Sequence, residues 1–543
     1  MHIGRNRYFP SLGAGFLHPA DVAPVTGLLA TAIEDEQWET VVSVIEHEWG
    51  ILMALDLPTL DRALRALPAR MLSAHPIVFA VREIRLNIRG ETDGLDHSAG
   101  RVDLPTHPDD LRDRARSELA RISLSAATAF MIAYRVHGRH QQALHYARIT
   151  EELARRARVH QPNEFVPRVP TALLQVGITK LLVGDHHEAS LVLREAYELR
   201  SESWDGRNGP DASGKLALLN AVRGEIVDAE RWLERHDEGD GAHGWMVPLV
   251  RLSGAIARAL IAIARMDQPA AQAALASLEL QVNRERSWAP FITYAQAQYA
   301  LLWGDRRAAL QIIERTRLFA GRSLRQAGAE RLLDAVEASL LLALERPTEA
   351  SALLDDRDRN AYTAAVASRL ALLTDRKPLA RELATAGLAE VNIDAGAQTD
   401  LLIASALADA SDEDGRRHLT QAIATTARTG MLTPFVVAPR TPLRQLLGTM
   451  TPSETHTRID RMLVSSPEPT PERAHLVELT ATERRILLLS AEGRSRQDIA
   501  LELYVSANTV KFHFRNVYRK LDVDSREDAL ATARRLGLLP PQR

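Results

Sequence analysis

The sequence predicts an all-α protein in which a long helical-repeat region is followed by a small helix-turn-helix domain. Three observations carry this. Ala, Leu, Arg and Glu dominate a chain of 543 residues that is 45% hydrophobic and 25% charged, and runs of β-branched or aromatic residues are scarce. A Gly followed five residues later by Ala recurs, with apolar helical patterning on both sides. Near the C-terminus, three Ser or Thr residues each stand three positions before an acidic residue at the start of a helical pattern.

The elements follow in chain order. Residues 1–25 form an N-terminal segment whose opening, MHIGRNRYFPSLGAGFL, lacks the sustained apolar core of a secretory signal. From Glu34 to Ile84 the pattern reads as successive helices punctuated at Pro58, Pro68 and Pro76. The repeat then occurs as Gly138 with Ala143, Gly184 with Ala189, Gly224 with Ala229 and Gly304 with Ala309. Subtracting the Gly positions gives steps of 46, 40 and 80, the last being two steps of 40. Degenerate copies stand at Met266 with Ala271 and at Glu345 with Ala350.

Such a unit is a helical hairpin. The Gly ends the first helix in a left-handed conformation, and the Ala lets the second helix pack closely on the first. Neither helix buries its apolar stripe alone, so neighbouring hairpins must stack into a superhelix. The pattern resembles tetratricopeptide repeats, with a period nearer forty than the usual thirty-four or so. Residues 26–450 are assigned to this region and 451–475 to a linker. Within the linker, VSSPEPTPER (Val464 to Arg473) places three prolines in ten positions, which favours an extended segment over a packed one.

Residues 476–543 form the last domain, with the helix-turn-helix at about 495–521. Its caps are Thr480 with Glu483, Ser495 with Asp498, and Ser525 with Asp528, and Ser506 caps the third of four short helices. That third helix, Ser506 to Leu521, carries four Lys or Arg and no acidic residue. Projected at 100° per residue, Val510, Phe514, Val517 and Leu521 fall within about 60° and form the buried face. Asn508, Lys511, Phe512, Arg515 and Arg519 fall on the other half. A helix of this kind inserted in the major groove places Lys or Arg against guanine acceptors and an aromatic against a thymine methyl. Thr509, Tyr518 and Lys520 then flank it to hold phosphates.

This domain resembles the DNA-binding domain of the LuxR family of bacterial transcription regulators. The residues that carry the likeness are Leu479-Thr480-Ala481-Thr482-Glu483, Ala491-Glu492-Gly493, Asp498-Ile499-Ala500, Val505-Ser506, Thr509-Val510-Lys511, His513, Arg515 to Leu521, and Ser525-Arg526. The resemblance implies base contact for Lys511, Phe512 and Arg515. It implies backbone contact for Ser506, Asn508, Thr509, Tyr518, Arg519 and Lys520, and dimer contact for the helix carrying Ala529, Ala533 and Leu536. Where the family commonly has Gly after the third helix, this chain has Asp522. More weakly, Leu64 to Pro76, the repeats, and His418 to Leu447 are similar to the sensor region of large ATP-binding LuxR regulators of the maltose-activator type. In that type an NTPase module precedes the helical region and the superhelix binds an inducer. Here the chain starts where the helical region is expected to start, so the NTPase module is expected to be missing.

The remaining sequence features narrow the function. Without cysteine there is no disulfide scaffold, Cys-based zinc site or thiol catalysis. No apolar run of about eighteen residues stands out, so a cytoplasmic, nucleoid-associated protein is expected. Gly209 to Leu216 nearly spells a phosphate loop, but Leu216 stands where a Ser or Thr must hold magnesium, and the stretch is read as an inter-helix loop. His236 to His243 (HDEGDGAH) is read as loop composition rather than a metal site. Trp204, Trp232, Trp245, Trp288 and Trp303 line a groove or fill a core. No nucleophile, base and orienting acid stand out for catalysis, and no cofactor is expected.

The sequence therefore indicates a DNA-binding transcription regulator, not an enzyme. Its partners are double-stranded operator DNA, RNA polymerase, a small-molecule or protein effector in the repeats, and a second copy at least on DNA. The alternative is a repeat scaffold that binds a protein and has no DNA role. From Glu478 to Arg543 there are twelve Lys or Arg against nine Asp or Glu, and the whole chain carries formal charge −3, so affinity for DNA must come from placement and dimerisation.

Overall fold

The computed structural model describes residues 19–89, 107–239, 244–279, 286–320, 328–355, 360–410, 413–477, 479–536 and 538–539. Among these residues every regular element is a helix. They form two compact units that interleave in sequence. One comprises residues up to Ile263 with Asp267–Ala295 and Glu314–Glu330, and the other comprises Ala264–Met266, Gln296–Ile313 and Arg331 onward. The first 18 residues of the N-terminal segment lie outside the described residues, and helix Pro19–Glu34 follows them.

The repeat is a repeated turn. Gly138, Gly184 and Gly224 have φ of 69°, 89° and 81°, and Met266 and Glu345 take the same left-handed conformation at 63° and 56°. In each case the next amide reaches back across the turn: Arg139 N donates to Tyr134 O at 2.8 Å, Asp185 N to Lys180 O at 3.0 Å, Glu225 N to Asn220 O at 2.9 Å, Asp267 N to Ala262 O at 2.9 Å and Arg346 N to Leu341 O at 2.9 Å. This is the Schellman closure, which satisfies carbonyls that the ending helix leaves free. Five residues after each left-handed position an alanine is buried: Ala143, Ala189, Ala229, Ala271 and Ala350 are all 0% exposed.

The structure extends the series and amends one member. Asp375 (φ 57°) starts another copy, with Arg376 N on Ala371 O at 2.8 Å and Ala380 fully buried. Glu36 (φ 53°) starts one in which Val41 takes the place of Ala. Neither has the Gly that marks the turns at Gly138, Gly184 and Gly224, and the Glu36 copy also lacks the Ala. Gly304, by contrast, is not among the left-handed residues. Its requirement is proximity, since a Cβ there would meet Ala300 Cα at 3.0 Å, and the following helix is capped by the Asp305 carboxylate, which accepts from Arg307 N at 2.9 Å.

One expectation about apolar runs is corrected. Helix Val247–Ala264 is 18 residues long with mean hydropathy 1.7, long and apolar enough by those measures to cross a membrane. Arg251 and Arg258 interrupt it, which hid it from a search for unbroken runs. In the fold 67% of it is buried against neighbouring protein.

The proline-rich segment is also corrected. Between helices Glu454–Ser465 and Ala481–Ala491 the chain forms no regular element, yet it is pinned along its length rather than projecting. Arg440 donates to Leu463 O at 2.8 Å and to Ser466 O at 3.0 Å. Thr470, 5% exposed, donates to Val437 O at 2.6 Å. Further on, Ala474 N donates to Leu373 O at 2.9 Å and Val477 N to Thr348 Oγ1 at 3.3 Å. Composition reports what a segment does by itself; it does not reveal that distant residues supply its partners. Replacing Arg440 by Ala strands several carbonyls at a cost of about 1–3 kcal/mol, and limited proteolysis of the full chain is expected to cut within 464–473 faster than in the parent.

Candidate nucleic-acid interface

Four helices build the C-terminal domain: α1 (Ala481–Ala491), α2 (Arg496–Glu502), α3 (Ala507–Leu521) and α4 (Arg526–Arg535). All four start on the expected caps. Thr480 and Ser495 each close a reciprocal capping box with Glu483 and Asp498, Ser506 Oγ accepts from Thr509 N at 3.1 Å, and Ser525 Oγ accepts from Asp528 N at 3.0 Å. The turn between α2 and α3 uses the closure seen in the repeats: Tyr504 is left-handed at φ 55° and Val505 N donates to Ala500 O at 3.0 Å.

α3 is held by the face expected. Val510, Phe514, Val517 and Leu521 are 0, 3, 0 and 6% exposed. Val510 and Phe514 pack with Ile486, Leu489 and Ile499, while Val517 and Leu521 pack with Val477, Leu487, Ala529 and Ala533. Asn508, Lys511, Phe512, Arg515 and Arg519 are exposed on the other face, with Phe512 61% exposed. Ser506 at the helix start is exposed and Thr509 half-buried. The side chains singled out as base readers therefore stand clear of the protein's own surface.

Three assignments need amendment. Lys520 donates to the Glu483 carboxylate at 2.6 Å, so it braces α3 on α1 in addition to any phosphate role. Tyr518 is half-buried and its ring meets that of Phe514 at 5.8 Å between centroids. Ala529 and Ala533 are 1% and 0% exposed within the domain's own core, so they have no surface to offer a second copy; of the three residues named for dimer contact, only Leu536 is partly exposed. Alanine spacing marks a close helix contact but does not say whether the neighbour belongs to the same chain.

Residues 477–533 match the family model described as bacterial regulatory proteins, luxR family. The C-terminal domain is a LuxR-family helix-turn-helix domain. The chain is also similar to the HTH-type transcriptional regulator MalT of Cronobacter sakazakii, 35% identical over 150 residues that make up 23% of this chain and 16% of that protein. The match thus spans a small part of the relative's length.

The LuxR domain contains supports that motif reading did not weigh. Arg526 binds the end of α1 from the start of α4, donating to Ser490 Oγ at 2.8 Å, Ser490 O at 2.9 Å and Arg494 O at 2.8 Å. Burial opposes ionisation of Glu483, but hydrogen bonds from Lys520 and from Thr480 outweigh it and hold the carboxyl below its ordinary range. At the far end of α3, Asp522 is left-handed at φ 54°, and Val523 N donates to Tyr518 O at 3.0 Å.

The phosphate-loop-like stretch is not an inter-helix loop. Gly209 to Leu216 lies inside helix Asn208–Arg223, where Pro210 is tolerated in the first turn and Gly214 admits the His236 ring. From Asp211 on its amides are committed to the helix, and Lys215 pairs with Asp211. His236 belongs to helix Ile226–Asp237 and its Nδ1 lies 2.6 Å from Pro210 O, while His243 falls outside the described residues. The tryptophans divide. Trp232 stacks edge-on with Tyr197, whereas Trp204, Trp245 and Trp288, joined by Trp49, line one cavity in the helical region.

Replacing Asp522 by Gly relieves the left-handed strain and is expected to stabilise the end of α3 by about 0.5 kcal/mol, read as greater hydrogen-exchange protection there in the full chain. Glu483 has a folded pKa below its unfolded value near 4.3, so its stabilisation is present above that value and is lost as pH falls through the folded one. In Lys520→Met, protection of α1 and α3 at pH 7 is expected to drop, and the further drop on acidification to shrink.

Proposed function

We propose that this protein is a sequence-specific transcription regulator whose helical-repeat region senses an effector and thereby controls how the LuxR domain engages an operator. The carrying observation is the exposed row of Lys511, Phe512 and Arg515 on a helix whose opposite face is the domain's core. In the major groove, Lys511 and Arg515 donate to guanine N7 and O6, and Phe512 packs on a thymine methyl. Ser506, Asn508, Thr509 and Arg519 hold phosphates beside them, joined by Tyr518 and Lys520 as far as their packing and ion pair allow.

Two domains act together on half-sites about 34 Å apart, the spacing of one helical turn. The exposed side of α4, with Leu536 at its end, is the surface for that pairing. Activity of this kind takes place in the cytoplasm on chromosomal DNA, with RNA polymerase as the downstream partner. The MalT-type likeness favours a small molecule or protein acting on the repeats.

The test is a fluorescence-anisotropy titration of the full chain against genomic fragments at several salt concentrations. Affinity is expected to fall steeply as salt rises, through counterion release. Arg515→Ala is expected to lose about 1–3 kcal/mol at the specific site and to relax selectivity at one base position. Affinity that ignores both salt and Arg515 would leave the scaffold reading in its place.

A further inference from the structure

The helical region forms a half-open cavity of about 210 Å³, lined among the described residues by side chains between His47 and Trp288. This is below the size range of drug-sized ligand sites and suits a small metabolite. Trp49, Trp204, Trp245 and Trp288 supply much of its wall. Two of these indoles already spend their N–H elsewhere: Trp49 donates to Ser125 Oγ at 3.0 Å and Trp245 to Met53 O at 2.9 Å. These two therefore offer a ligand ring faces rather than hydrogen bonds. Leu124, Ile84, Ile132 and Ile178 extend the apolar lining.

Set into that lining are five cations: Arg121, Arg135, Arg168, Arg207 and Lys215. Among the described residues the acids on the wall are Asp205, which takes Arg207 through two bonds of 2.7 Å, and Asp211, which takes Lys215. Behind the wall, the buried Glu48 carboxylate is shared by Arg121 and Arg168, the latter at 3.4 Å, and Glu164 lies 3.6 Å from Arg121. Arg135 is held by Gln175 O at 3.1 Å and Gln175 Oε1 at 2.8 Å, both uncharged. Arg121 and Arg168 thus share one buried carboxylate that lies off the cavity surface, and the guanidinium groups are already fixed in place. Burial lowers the Arg168 pKa to about 10.

Gly50 adds an independent observation. It sits inside helix Trp38–Leu55, where glycine is unfavourable, yet a Cβ built there meets nothing within 4 Å. No close neighbour requires the missing side chain. Gly50 lines the cavity, so what its absence does is keep that space open.

We propose that this cavity binds a small amphipathic carboxylate, its apolar body between the indole rings and its anionic head against the guanidinium cluster. The assignment rests on the reading above that the helical region senses a small molecule, and it names the ligand class. Calorimetry on the full chain without DNA tests it, with 1-naphthoate and octanoate as probes and 1-naphthamide, 1-naphthylmethylammonium and maltose as controls. The acids are expected to bind at least about tenfold more tightly than the amide or the amine, and maltose not at all.

Gly50→Phe fills the space without removing a charge, so it is expected to abolish binding while the melting temperature stays level or rises. Arg168→Gln is expected to weaken naphthoate by about tenfold and leave naphthamide unchanged. Equal binding of acid and amide, preference for the sugar, or retained binding by Gly50→Phe overturns the proposal. Anisotropy with an operator fragment separates the two readings. Naphthoate that binds without altering DNA affinity upholds the cavity and defeats the regulatory reading. Intact DNA binding with no acid bound defeats the cavity's ligand class alone.

Discussion

The structure depends on one backbone device, a left-handed residue that ends a helix and lets the next amide close a bond five residues back. A helix that must bury one stripe against its successor has to reverse within a residue or two, and this closure does so while satisfying the carbonyls it leaves behind. Gly184 and Gly224 make it in the repeats, Met266 and Asp375 make it without glycine, and Tyr504 and Asp522 make it on either side of α3. The same device thus sets the spacing of the hairpins and the short turn of the helix-turn-helix.

Function enters where that economy leaves a face over. In the LuxR domain the inner side of α3 is consumed by two small apolar clusters, and Lys511, Arg515 and Arg519 on its outer side are exposed. The helix is fixed by more than its apolar contacts. Lys520 on Glu483 ties it to α1, and Arg526 ties α4 to the end of α1, so the exposed row is carried on a braced support. A row of side chains on a braced helix loses less freedom on meeting a duplex than one on a mobile loop. The pinned segment from Ser466 to Val477 means that the domain is also joined to the preceding helices by specific bonds, not by a slack tether.

Net charge conceals this arrangement. A chain of formal charge −3 holds one cluster of cations on an exposed helix and another around a cavity. The first is exposed to solvent, where salt screens it strongly; the second lies against an apolar lining, where screening is weaker. Arginine serves both, since its fork can be fixed by carboxylates or carbonyls and still present donors.

Local sequence determined the helix caps, the alternation of faces on α3 and most of the left-handed turns, because each depends on residues within one or two helical turns of each other. Thr480, Ser495, Ser506 and Ser525 were legible for that reason, as were Val510, Phe514, Val517 and Leu521. Only the tertiary structure decided that Ala529 and Ala533 face inward, that Lys520 meets Glu483, that the Pro-rich segment is held by Arg440 and Val437, and that Gly209 to Leu216 is helical. It also gathered Trp49, Trp204, Trp245 and Trp288 from distant parts of the chain around one space. Those outcomes turn on partners far away in sequence, and the pattern of a segment records its own preferences but not which remote surface will complete its hydrogen bonds or its packing.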